Sequence, residues 1–138
     1  MDEKPPPLEP ASVEALVGNA HGDLDEVQRL LDAEPTLVNA AWDWGGGDWE
    51  TALGAAAHMG RRDIAEFLIS RGARIDIFAA AMLGWTEVVR SMLDAFPSLS
   101  GALGPHGIPL KAHAAKGGDD AAEVVALLNA RAVSSLSS

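Results

Sequence analysis

The chain has no cysteine, so disulfide staples and thiolate chemistry are excluded. Aromatic residues make up only 5% of the 138 positions, and bases are scarce: 10 Lys and Arg stand against 20 Asp and Glu. The resulting net charge of −10 argues against a nucleic-acid backbone or an anionic membrane as partner and favours a basic one. Long apolar runs are also missing. The longest nearly apolar stretch, Ile77 to Trp85, falls far short of the ~20 residues that span a bilayer. The opening residues, Met1 to Pro7, are polar and proline-rich, unlike the charged-then-apolar pattern of a signal peptide. These absences predict a soluble, cytoplasmic protein.

Small apolar residues are abundant instead. Alanine occurs 25 times, and hydrophobic residues make up 48% of a chain of ordinary single-domain length. Alanine is the best helix former and lets helices approach closely. The apolar residues are organised around four glycine turns: Gly22, Gly60, Gly84 and Gly117. Each follows a short Ala-rich segment and precedes an amphipathic one, such as Ile64-Phe67-Leu68 or Val88-Val89-Met92-Leu93. A glycine there suits a helix end, because it enters the left-handed region without steric cost. A pair of short helices cannot bury its own apolar face, so it must stack on copies of itself. The pattern predicts an all-α solenoid of four helix-turn-helix units over residues 12–133. It follows a proline-rich disordered lead at 1–11 and precedes a serine-rich flexible tail at 134–138. Ser12 is the expected N-cap of the first helix. Proline ends the second helix in both Leu31-Asp32-Ala33-Glu34-Pro35-Thr36-Leu37 and Leu93-Asp94-Ala95-Phe96-Pro97-Ser98-Leu99, with a leucine placed to re-anchor the chain.

The segment Thr51-Ala52-Leu53-Gly54-Ala55-Ala56-Ala57-His58-Met59-Gly60, continued by Asp63-Ile64-Ala65-Glu66-Phe67-Leu68-Ile69-Ser70-Arg71-Gly72-Ala73, resembles an ankyrin repeat. The other units share its phase but not its opening tetrapeptide: Ile108-Pro109-Leu110-Lys111 lacks Thr and His. The resemblance implies hairpin fingers projecting to one side of the stack and a protein-recognition role without catalysis.

Intervals between the turn glycines are 38, 24 and 33 residues, against a family period of 33. The first unit therefore carries an extended finger and the second has lost its own, since Ile75-Asp76 runs straight into Ile77-Phe78-Ala79-Ala80. The third finger, Gly101 to Gly107, is rich in Gly and Pro. Deleting the middle finger opens a notch.

Three of the four tryptophans fall in the long finger, Trp42-Asp43-Trp44-Gly45-Gly46-Gly47-Asp48-Trp49-Glu50. A triple-glycine reversal would make Trp44 and Trp49 cross-strand neighbours. Two roles are open for the indoles: an aromatic wall with carboxylates beside it, suited to a cationic group, or a filling for the notch. Trp85, just after the third turn, is expected to pack on a neighbouring unit. Phe78 is expected in the core beside the notch. His21 and His58 precede turn glycines, where they can bond helix ends. His106 lies in the third finger and His113 on the last inner helix. If both face the concave side, they share a cavity with Asp43 or Asp48 and could do acid–base work. No metal-ligand spacing, phosphate loop or nucleophile motif is present, so no cofactor is expected.

The leading reading is an interaction module anchored by Trp42, Asp43, Trp44, Asp48, Trp49 and Glu50 on a protein partner. The alternative is a small-molecule site, catalytic or not, walled by Trp44, Trp49, Phe78 and Trp85, with His106 and His113 among its polar groups. Self-association through the apolar last helix is a third option, giving a homodimer.

Overall fold

The computed structural model describes residues 4–136, with side chains described through Ala132. Its helices are α1 (Pro10–Asn19), α2 (Leu24–Ala33), α3 (Ala52–His58), α4 (Arg62–Ser70), α5 (Ile77–Leu83), α6 (Thr86–Ala95), α7 (Leu110–Lys116) and α8 (Ala122–Leu136). One two-stranded hairpin, β1 (Ala41–Asp43) and β2 (Trp49–Thr51), interrupts them between α2 and α3. The architecture is all-α. Among the described residues no helix is long and apolar enough to cross a membrane.

Local chemistry starts the helices. Asp23 accepts a hydrogen bond from the Glu26 amide, Thr51 from Gly54 and Asp76 from Ala79, which satisfies amides that α2, α3 and α5 leave unpaired. Pro10 occupies the first turn of α1, where its missing N–H costs nothing. That helix therefore begins two residues before Ser12, the expected cap. Within the expected lead at 1–11, Leu8 packs on the core, and Met1–Glu3 lie outside the described residues. At the other end α8 continues through Leu136 into the expected tail, of which Ser137 and Ser138 lie outside the described residues.

The even-numbered helix of each pair lies against the odd-numbered one before it, and α1, α3, α5 and α7 touch in sequence. Alanines make this close approach possible: Ala55, Ala56 and Ala57 of α3 and Ala79, Ala80 and Ala81 of α5 are fully buried. One apolar cluster runs from Val13 to Leu83 and a second from Ile77 to Leu128; Trp85 packs against both. Three-ten turns at Pro35–Asn39 and Pro97–Gly101 follow α2 and α6, and each lays its leucine, Leu37 or Leu99, onto the core.

Two of the four turn glycines, Gly60 and Gly84, take left-handed backbone angles. Gly22 does not, and in the last turn Gly118 rather than Gly117 does so. At Gly84 (φ +80°) a Cβ would stand 2.0 Å from the carbonyl oxygen of Asp120. The lack of a side chain is what lets the α5–α6 turn seat against Asp120, just ahead of α8.

Candidate functional site

The finger is built by its glycines and one aspartate. Gly45, Gly46 and Gly47 all have positive φ, and the Asp43 carboxylate accepts hydrogen bonds from the Gly45 and Gly47 amides. The strand register sets Trp42 opposite Glu50 and Asp43 opposite Trp49. Trp44 faces Asp48, whose carbonyl accepts its amide hydrogen at 3.0 Å, so Trp44 and Trp49 are not cross-strand neighbours as the triple glycine suggested. Nor do the indoles fill a gap as core. Trp49 is 60% exposed and Trp44 40%, while Trp42 lies half-buried against the first core cluster.

No hairpin separates α4 from α5, so the loop Gly101–Pro109 approaches the finger directly. That loop is closed by a bridge between Leu103 and Pro109. Between it and the finger lies a cleft of about 400 Å³, walled by Asp48, Trp49 and Thr51 on one side and by Leu103, Gly104 and Pro105 on the other. Asp76 and Phe78 line it as well. Trp49 also lines a second hollow of about 280 Å³ on the far side of the hairpin, beside Leu8, Val13 and Trp42. A single exposed indole thus stands between two hollows.

Behind the cleft, side chains from four separate segments converge on the Glu50 carboxylate, which is only 1% exposed. His21 Nε2 lies 3.1 Å from Oε1, while His58 Nε2 at 2.9 Å and His106 Nε2 at 3.1 Å approach Oε2. The Trp44 indole N–H donates to Oε1 at 2.9 Å. Burying a carboxylate costs of order several kcal/mol unless partners compensate it, and here the partners are imidazoles. His106 is further held by Asp48, which accepts both its backbone N–H (2.8 Å) and its ring Nδ1–H (2.6 Å). Its backbone is left-handed (φ +61°), a conformation uncommon outside glycine and stabilised here by the Asp48 contacts.

Environment shifts the titrations. Burial pushes His58 below the ordinary imidazole value, and the Glu50 charge only partly opposes it. Burial acts the same way on His106, but the hydrogen bond to Asp48 and the negative charges of Glu50 and Asp48 outweigh it and raise the value. Asp48 is lowered, chiefly by the His106 backbone N–H. His113 is a separate case. It is fully buried on α7, its Nδ1 donates to the Pro109 carbonyl at 3.0 Å, and its ring packs at 4.8 Å from Phe78. Burial lowers its value.

Of the residues singled out from the sequence, Asp48, Trp49 and Phe78 line the cleft; Trp44, Glu50 and His106 meet behind it. Asp43 is occupied with its glycine turn, Trp42 packs inward, and Trp85 sits between the core clusters. His113 does not share a cavity with His106 and the finger carboxylates. His21 bonds the end of α1 as expected, its Nδ1 facing the Val17 and Gly18 carbonyls at 3.0 Å, yet its other nitrogen reaches Glu50. His21 and His58 are the residues that sequence reasoning left out. Their one signal was phase, since both sit just ahead of the turn glycine in consecutive units and so fall on the same edge of the stack.

Residues 48–80 match the ankyrin repeat family model. This segment carries an ankyrin repeat. Ankyrin repeats are in general protein-interaction modules, and the matched unit runs from Asp48 in the finger to Ala80 in α5. It therefore contributes Asp48, Trp49, Glu50, His58 and Phe78 to the geometry above. A comparison with curated proteins gives no match.

Proposed function

We propose that the four helix pairs of this chain act as a stacked solenoid with one long and one deleted finger, and that its finger side captures a protein partner. The observation that carries this reading is the pairing of Trp49 with Leu103, the latter 65% exposed, on opposite rims of the cleft. Two large apolar side chains facing water across a concave surface favour a partner's apolar side chain seated between them, with Trp as the anchor. Asp76 on the cleft wall and a net charge of −10 favour a basic residue beside that anchor.

The test is affinity purification from the native host, identification of the bound protein, and titration of that protein against wild type and the Trp49→Ala and Leu103→Ser variants. An affinity loss of about tenfold or more for each is expected from anchor positions. Unchanged affinity for both would remove the cleft from the reading.

The cleft volume favours a second reading. About 400 Å³ lies within the range of small-molecule sites, and the indole face of Trp49 beside Asp76 suits an organic cation. Quenching of Trp49 fluorescence by such a compound, lost in Trp49→Phe, separates this role from protein capture.

A further inference from the structure

Three imidazoles and one carboxylate meet at a point where sequence spacing gave no warning of a metal site. We infer that His21, Glu50, His58 and His106 form a binding site for a divalent transition-metal ion, zinc first among them. The ligand atoms all lie within 4.8 Å of one another. Donors at about 2.0–2.1 Å from a tetrahedral centre stand roughly 3.3 Å apart, and the three nitrogen–oxygen separations here are 2.9–3.1 Å.

The hydrogen bonds point the same way. The Nδ1 of His21 faces backbone carbonyls and that of His106 faces a carboxylate; such oxygens only accept, so both Nδ1 atoms carry hydrogen. In a neutral ring that leaves the Nε2 lone pair directed at Glu50, lone pair toward lone pair. A cation between them turns this opposition into coordination. His58 Nε2 and Glu50 Oε2 lie 2.9 Å apart, both buried, in a geometry that misses the criteria for a hydrogen bond. Two adjacent buried polar atoms left without a hydrogen-bond partner suit a pair of metal ligands.

The surroundings fit as well. Asp48 on His106 makes the carboxylate–histidine arrangement that orients a ligating ring, and the Trp44 indole N–H holds Glu50 Oε1, leaving Oε2 to ligate. Glu50 and Asp48 together cancel the charge of a dication, so a half-buried site carries no net excess. Imidazole with one carboxylate suits zinc, copper, nickel or iron, and four protein ligands close a tetrahedron. A closed set assigns the ion a structural role. It would clamp the ends of α1 and α3, the long finger and the loop Gly101–Pro109 together, and the last two are the walls of the cleft. The site stands on its own geometry and does not depend on what the cleft captures.

The experiment uses the full chain without a histidine tag, stripped of metal, then titrated with Zn2+ against a chromophoric chelator and with Co2+ by visible spectroscopy. Expected are one ion per chain, the intense d–d absorption of tetrahedral cobalt, and a rise in Tm on zinc addition. His106→Asn suits the left-handed backbone and keeps the fold while removing a ligand. It should abolish the cobalt spectrum and the Tm rise. Asp48→Asn, which leaves all four ligands in place, should weaken zinc binding about 10–100-fold. A wild-type chain that binds no stoichiometric metal overturns the assignment. So does binding that His106→Asn and His21→Ala, both verified as folded by circular dichroism, leave unchanged.

Discussion

Asp48 accepts two hydrogen bonds from His106, at 2.8 and 2.6 Å, and so joins the first finger to a loop 58 residues further along the chain. The loop Gly101–Pro109 has few other polar ties to the finger, so this pair holds the cleft at its width. Asp48→Ala should leave helicity unchanged while amide hydrogen exchange at His106 and Gly107 speeds up. Protection equal to wild type would show that the His106–Glu50 contact and the packing of Pro105 beside Gly54 are enough to hold the loop.

The exposed and buried apolar residues of the finger region should part clearly in stability. Trp49→Ala removes a side chain that faces water and should change unfolding free energy by no more than about 0.5 kcal/mol. Leu53→Ala, four residues on and 1% exposed, should cost about 2–5 kcal/mol. Urea denaturation of both variants checks the contrast. A Trp49→Ala loss comparable to that of Leu53→Ala would mean that the indole is core after all.

Gly84→Ala should be among the more damaging single-methyl additions. The new Cβ meets the Asp120 carbonyl oxygen at 2.0 Å and also forces alanine into left-handed backbone angles. The backbone effect alone costs about 1–2 kcal/mol, so a total above about 2 kcal/mol is expected in thermal unfolding. Gly72→Ala is a useful control. It too has positive φ, but nothing lies near its Cβ, so it should show the backbone cost without the clash.

Much of this was legible in the sequence, for reasons that concern particular residues. Turn glycines and the amphipathic segments after them, such as Ile64-Phe67-Leu68, mark the helix pairs because 3.6-residue periodicity is local. The short link at Ile75-Asp76 leaves no room for a hairpin between α4 and α5, because chain length cannot be disguised. The start of α1 was misplaced because two starters compete, and Pro10 in the first turn sits upstream of Ser12. The hairpin register was missed because Asp43, by binding two glycine amides, sets the reversal one step away from a Trp44–Trp49 pairing. The histidine cluster was illegible by spacing: its members come from four segments and meet only once adjacent units stack. Glu50 is expected from the sequence among the binding residues of the finger, and its position opposite half-buried Trp42 turns it inward.

Acid should weaken the fold through His113. This ring is buried near Asp76, Phe78 and the Pro109 carbonyl, and its pKa lies below the ordinary 6.5. In the unfolded chain it takes up a proton as pH falls through about 6.5, whereas the folded chain resists. Stability is therefore unaffected by this group above that pH, and declines below it until the depressed folded value is reached. Comparing wild type with His113→Leu between pH 7 and 5 isolates its share, since the variant should lose part of the acid slope. Parallel slopes would show that His113 protonates in the folded state as readily as in water.

The short link between α4 and α5 bears on how the chain reaches its final shape. Helix pairs of this kind form from neighbours in sequence, which favours rapid assembly. Contact between the finger and Gly101–Pro109 spans 58 residues and needs three pairs already in place. Closure of the cleft is therefore expected among the later steps of folding, and faster amide exchange at His106 than in the helices would mark the surface that meets a partner as a place where local opening begins.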